Sequence, residues 1–300
     1  MAGPSPAAVS LVLLLVYLNR FTHNLRPVAI AALVGRMGQG LVAEMTAAGR
    51  DATAFDPRTL PGGPATVVPA PHGGAVQALD VDGLIAIAVR HGCTIVLAHP
   101  VGTFLPPGAV LARIHGGTTR PEARHVCERI ALGVERTIEQ DPAFALRVLV
   151  DIANRALSPA VNDPTTAIQV LDHIEAFLHT LDSVELRRRH AVTDRQGRPL
   201  LVVPDRSWDG YLQLAVSEIR DYGVTSVQVC RRLRALLDGL LDTVRAGNRA
   251  AVATELRRLD AAVERAYENR DQRAVAMIGD RQGIGSGTEE QDAEPGQGAP

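Results

Sequence analysis

The densest group of chemically capable side chains in this 300-residue sequence lies between Ser158 and Thr166, within the stretch ALSPAVNDPTTAIQVLD. Ser158, Asn162, Asp163, Thr165 and Thr166 bring hydroxyl, amide and carboxylate groups into one short run, and Asp151 and His173 stand on the apolar segments that flank it. If those segments are antiparallel helices, Asp163 or Asp151 with His173 forms a carboxylate–imidazole set that could bind a cation or transfer a proton. The same residues also have a complete structural account. Asp163 caps a helix, Asn162 and Ser158 satisfy backbone groups in the turn, and Asp151 pairs with Arg155 one turn later. Asp172 and His173 are adjacent and so point about 100° apart on a helix, which rules out a simple shared site. The structural account is the one the pattern favours, and it assigns no catalytic residue and leaves any metal undefined.

The elements that must position this group are written in the same stretch. Asp141-Pro142 and Asp163-Pro164 repeat one device, an Asp that accepts from free amides followed by a Pro pre-set for the first helical turn. Each marks a helix start. Leu157-Ser158-Pro159 ends the first helix, because a residue before proline is pushed out of the helical region. The elbow is therefore Ser158 to Thr166.

With the preceding EQDPAFALRVLVDIANR, this elbow resembles the signature of a bacterial family of predicted membrane proteins, the domain-of-unknown-function family numbered 2254. AVQALDVDGL, PPGAVLARI and DGYLQLAVSEIRDYG resemble further blocks of that family in the same order, so the resemblance runs from about residue 10 to about residue 270. It implies a membrane location and an architecture, and carries no biochemical activity. It also implies several membrane helices upstream, so the chain begins with what reads as the last of them, through a late start codon or a shortened family member.

Composition narrows the function classes. Net charge is −2 and every basic residue is Arg, so no whole-chain basic field argues for nucleic acid, and one tryptophan offers little stacking surface for single strands. Nucleic acid is not an expected partner. Cys93, Cys127 and Cys230 are far apart and lack zinc-ligand spacing, as expected of reduced thiols in a cytoplasmic domain. No nucleophile elbow, phosphate loop, HExxH or paired-Cys motif occurs, and no cofactor is implied.

Taken in order, the chain predicts an α+β protein that is mainly α. Residues 1–48 hold an apolar segment, Ala7 to Leu18, and a following helix. The apolar segment is shorter than the roughly 20 residues of a spanning helix, yet it is apolar on every face, and Arg20, Arg26 and Arg36 follow it with no Arg before it. That asymmetry places the remainder in the cytoplasm and makes the lipid bilayer a partner. Residues 49–64 read as a linker. Residues 65–116, with TVVPA, AVQALDV, CTIVLA and AVLARI between Gly and Pro clusters, read as a small β module with one short helix over Asp80 to Arg90. The module is similar to the barrel-sandwich folds that carry lipoyl or biotinyl groups, a role excluded here because those groups need a Lys.

Residues 117–278 read as a helical bundle. It starts with a helix over Thr119 to Gln140, argued from Val126, Ile130, Val134 and Ile138, and it carries a β-hairpin at 190–203 after Arg187-Arg188-Arg189. That Arg triplet is a solvated face or, near a membrane, a contact for anionic headgroups. Residues 279–300 read as a disordered acidic tail.

Three functions fit. The first is a bacterial inner-membrane protein, non-catalytic, serving assembly, transport or signalling and able to self-associate as a homo-oligomer. The second is an acid/base or metal-dependent enzyme using Asp151, Asp163 and His173. The third is a regulatory module in Ala65 to His115 that binds a small ligand of unknown identity in a concave pocket with convergent polar groups.

Overall fold

The structure is a computed structural model that describes residues 26–48 and 52–284. The expected apolar helix at Ala7 to Leu18 lies outside the described residues, as does most of the expected tail. Among the described residues no helix is long and apolar enough to cross a membrane. The protein is mixed α+β, mainly helical, with two small sheets. It divides into two compact units, one made of residues up to 152 and 173–215, the other of 153–172 and 216 onward.

The first unit begins with α1, Pro27–Ala48. Its glycines do not break it. A Cβ on Gly38 would collide with the Phe177 ring and stand 3.0 Å from Ala145 Cβ, so glycine here permits close helix approach. Then come β1 (Ala52–Ala54), β2 (Thr66–Pro69), β3 (Gly74–Leu79), α2 (Val81–His91), β4 (Cys93–Leu97), β5 (Phe104–Leu105) and β6 (Val110–Gly116). The start of α2 is set locally, because the Asp80 carboxylate accepts from Gly83 N at 2.9 Å. Its end is set by Gly92 in the left-handed region at φ 63°.

A six-stranded sheet has the order β1-β8-β9-β4-β6-β2, where β8 is Arg189–Thr193 and β9 is Pro199–Pro204. All five residues of β4 are buried, which explains why CTIVL does not alternate, and its one hydroxyl, on Thr94, donates to Pro199 O at 2.6 Å. Leu84 and Ala88 of α2 join Val68, Ile95, Ile114 and Leu201 in the core of this unit.

Three features differ from the sequence expectation. The hairpin at 190–203 joins this sheet through parallel pairing of Ile95 with Leu201 and Val96 with Val202. The 49–64 stretch contributes β1, paired to β8. The expected helix over Thr119 to Gln140 is instead α3 (Ala123–Cys127) followed by β7 (Ile130–Gly133), which completes a three-stranded sheet in the order β5-β3-β7. Apolar residues at four-residue steps satisfied a helical period, but Ile130 is buried while Val134 is 95% exposed, so they do not share a face. Pairing with β3 prevails, reinforced by Gln77 Nε2 donating to Glu135 O at 2.7 Å and by Gln140 Oε1 accepting from Leu79 N at 2.9 Å.

The chain passes between the units within three helices, α4 (Pro142–Ala156), α5 (Pro164–Asp182) and α6 (Trp208–Gly223). The second unit adds α7 (Val227–Thr243), α8 (Arg249–Ala266) and α9 (Arg270–Ala276). Leu233, Leu236, Leu237 and Leu240 of α7 are buried and form one apolar stripe at helical spacing. Residues 279–284, assigned to the tail from sequence, are ordered at Asp280, which is buried, accepts from Gln282 N and Gly283 N at 3.0 Å, and lies 3.8 Å from Arg231. A buried guanidinium gives that segment a reason to dock, which composition alone did not show.

Candidate functional site

The elbow forms as its residues dictate. Helices α4 and α5 both begin at the proline of an Asp-Pro pair. Asp141 Oδ1 accepts from Phe144 N at 2.9 Å, and Asp163 Oδ1 accepts from Thr166 N at 3.0 Å. The second carboxylate oxygen of Asp163 takes the Thr166 hydroxyl at 2.6 Å. These hydrogen bonds to the ionised form hold the Asp163 carboxyl below the usual carboxylate range, the Thr166 hydroxyl contributing most. Ser158 Oγ donates to Arg155 O at 2.7 Å, and Asn162 occupies the left-handed region at φ 47°.

Asp163 and Thr166 are thus brought together, while Thr165 is exposed beside them. Asp151 is ion-paired with Arg147, one turn before it rather than with Arg155 after it. His173 is half-buried against Gly35 of α1. Asp172 accepts from Arg232 at 2.8 Å. No group of three His, Cys, Asp or Glu side chains able to hold a metal exists among the described residues.

The first unit holds a cleft lined by none of the elbow residues. This cleft, of about 940 Å³, is lined by the first turns of α4 and α6, by Leu79, Pro100 and Val101 from the β region, and by the chain from Ser183 to His190 and Val203 to Tyr211. Hairpin pairing builds its basic end. Arg189 faces Pro204 in the ladder, and Asp205 N donates to Arg188 O at 2.9 Å, so the backbones of Arg188, Arg189 and Arg206 lie close at one end of the two paired strands, and all three residues line the cleft. Deeper in, Asp141 is 3% exposed and bound by Arg136 through Nη2 at 2.6 Å and Nε at 3.2 Å, with the Arg136 guanidinium 5.0 Å above the Phe144 ring.

Among the described residues Asp205 Oδ1 accepts only from the neighbouring Arg206 N in its own turn, at 2.6 Å. Burial pushes its carboxyl up to about 6, against the pull of that bond and of the Arg206 charge. Burial likewise pushes the Tyr211 phenol up, aided by the Asp205 and Asp141 charges, and pushes the His190 imidazole down. The cleft therefore combines a cationic rim, a carboxyl that titrates near neutrality and an apolar floor. Sequence reasoning marked the Arg triplet and missed Asp205, Arg206, His190 and Tyr211. The only available signal was Asp205-Arg206 directly after an apolar strand.

This is a mixed α+β protein with a cleft set by a sheet-bound hairpin and two helix starts. Its sequence matches the model of the family described as "Predicted membrane protein (DUF2254)" over residues 5–239, and the chain belongs to that family. It is 34% identical over 283 residues to the uncharacterized protein Rv1290c of Mycobacterium tuberculosis strain H37Rv and to the uncharacterized protein Mb1321c of Mycobacterium bovis. Each alignment covers 90% of this chain and 53% of the relative, so the chain spans about half the length of the curated relatives it matches. No solved structure matches it.

Proposed function

We propose that this protein is a non-catalytic component of the bacterial inner membrane whose cytoplasmic part binds a small ligand in the cleft of the first unit and reports its presence. The observation that carries the reading is the cleft itself. Its volume suits a small molecule, its floor is apolar, and a few polar groups converge on it, including a carboxyl that burial raises to about 6. Family membership supports the membrane setting.

An enzyme built on Asp151, Asp163 and His173 has weaker support. Both Asp163 oxygens are engaged by Thr166, and Asp151 by Arg147. Among the described residues neither carboxylate makes a hydrogen bond or ion pair with His173.

A thermal-shift screen of charged and polar metabolites, run on the chain and on a Val101→Trp variant that fills the cleft, tests the reading. Ligands that raise the melting temperature of the chain but not of the variant are expected. The absence of any such variant-sensitive ligand, or turnover of one into product, overturns it.

A further inference from the structure

We infer that the cleft ligand carries a phosphate group, clamped by Arg188, Arg189 and Arg206. The inference rests on the cleft being a ligand site and adds the chemistry that recognises the occupant. Five guanidinium groups line the cleft. Two are already committed within the fold, Arg136 to Asp141 at 2.6 Å and Arg187 to Glu185 at 2.5 Å. Among the described residues the other three make no ion pair, and all three line the cleft, Arg188 and Arg189 where the chain enters β8 and Arg206 just past the Pro204 that pairs with Arg189. Three like charges held together repel one another, and an anion between them removes that cost.

Two helices add to the same field. The first turns of α4 and α6, at Pro142 and Ala143 and at Gly210 and Tyr211, line the cleft and present the positive ends of helices of 15 and 16 residues. Glu44 and Glu139 line the cleft as well, from α1 and from the segment before α4. Of the other lining carboxylates, Asp141 is paired with Arg136 and Glu185 with Arg187, while Asp205 stands beside Arg206 and offsets part of its charge when ionised.

The number of forks selects the group. One guanidinium satisfies a carboxylate in bidentate fashion, whereas a terminal phosphate presents three oxygens and matches several forks at once. The cleft is far larger than phosphate alone, and Leu79, Val101 and the Tyr211 ring provide a surface for an apolar or planar remainder. A soluble phosphorylated metabolite and an anionic phospholipid headgroup share this chemistry.

The test uses the purified full chain, the double variant Arg188→Ala/Arg206→Ala, and Arg195→Ala in the hairpin turn as a charge-matched control. Calorimetric titration with inorganic pyrophosphate probes the soluble source, and flotation with phosphatidylglycerol vesicles against phosphatidylcholine vesicles probes the lipid source. Binding in at least one arm is expected, weakened by salt, reduced about tenfold or more in the double variant and retained in Arg195→Ala. Pyrophosphate binding alone assigns a soluble ligand, and phosphatidylglycerol binding alone assigns a headgroup. Binding in neither arm, or equal loss in Arg195→Ala, overturns the inference. A ligand from the thermal-shift screen that depends on Val101 but not on Arg188 and Arg206 also overturns it while leaving the ligand-binding reading intact.

Discussion

Arg136 and Asp141 form a 2.6 Å ion pair against the face of Gly102, whose φ of 88° and lack of a side chain leave room for the two charged groups. Asp141 is 3% exposed and also caps α4, so its carboxylate is held in place from two directions. Truncation by Arg136→Ala leaves that buried charge with one amide donor. The expected cost is about 2 kcal/mol, below that of a fully buried pair because the Arg136 side chain is 37% exposed. Gly102→Ala, which places a methyl group on the pair at a positive φ, should cost at least as much. Urea unfolding of both variants measures this, and a change under about 0.5 kcal/mol in either would show that the pair is not structural.

Asn162 at φ 47° gives a test of the elbow that does not depend on lost contacts. Asn162→Gly removes the steric cost of the left-handed region and is expected to leave stability unchanged or slightly raised. Asn162→Val puts a β-branched residue there and should cost about 1 to 2 kcal/mol. Equal stability of the two variants in urea would mean that the elbow is not held in this conformation.

Asp163 tests whether the elbow is a cap or a site. Asp163→Ala removes the bonds to the Thr166 amide and hydroxyl and should cost about 1 kcal/mol. Because the folded carboxyl titrates below its ordinary 3.8, its stabilisation is fully present above pH 3.8 and is lost as pH falls through the folded value. The difference between wild type and Asp163→Ala should therefore shrink towards pH 2. A difference that stays constant with pH would remove the electrostatic part of the account.

These local devices were legible in the sequence because each is made by residues three positions apart. Both Asp-Pro starts follow from spacing alone. What was not legible is non-local. Nothing in PLLVV says that Leu201 will pair with Ile95, and without that pairing the hairpin reads as an appendage of helices. Ile130 and Val134 kept a helical period by coincidence, and only the partner strand β3 decides between the two structures. The cleft was hidden for the same reason. Asp205 is an ordinary Asp-Arg turn residue until the fold desolvates it.

Asp205 should make stability fall as pH rises. Its folded carboxyl sits at about 6 against an ordinary 3.8, so between those values the folded state holds a proton that the unfolded chain has released. The deficit opens above pH 3.8 and is complete above pH 6, amounting to no more than about 3 kcal/mol and less after partial solvation. Asp205→Asn keeps an acceptor for Arg206 N and abolishes the titration. It should be more stable than wild type at pH 8 and indistinguishable near pH 3.5. A stability difference that is the same at both pH values would mean that Asp205 is not desolvated.

In the second unit, Glu255 accepts from Arg220 Nη1 at 2.9 Å and from Arg258 Nη1 at 2.6 Å while only 4% exposed, and the Arg220 side chain is 14% exposed. Desolvating such a pair costs nearly as much as its attraction returns, so its presence adds little net stability, yet removing one partner strands the other. Glu255→Ala should cost about 3 kcal/mol, since Arg220 keeps only the exposed Asp221 at 3.0 Å. The double variant Arg220→Met/Glu255→Leu replaces both charges with apolar groups and should recover most of that loss. A double-mutant cycle by urea unfolding decides the matter. If the double variant is as unstable as the sum of the single ones, the two side chains are uncoupled and the network is a surface feature rather than a buried one.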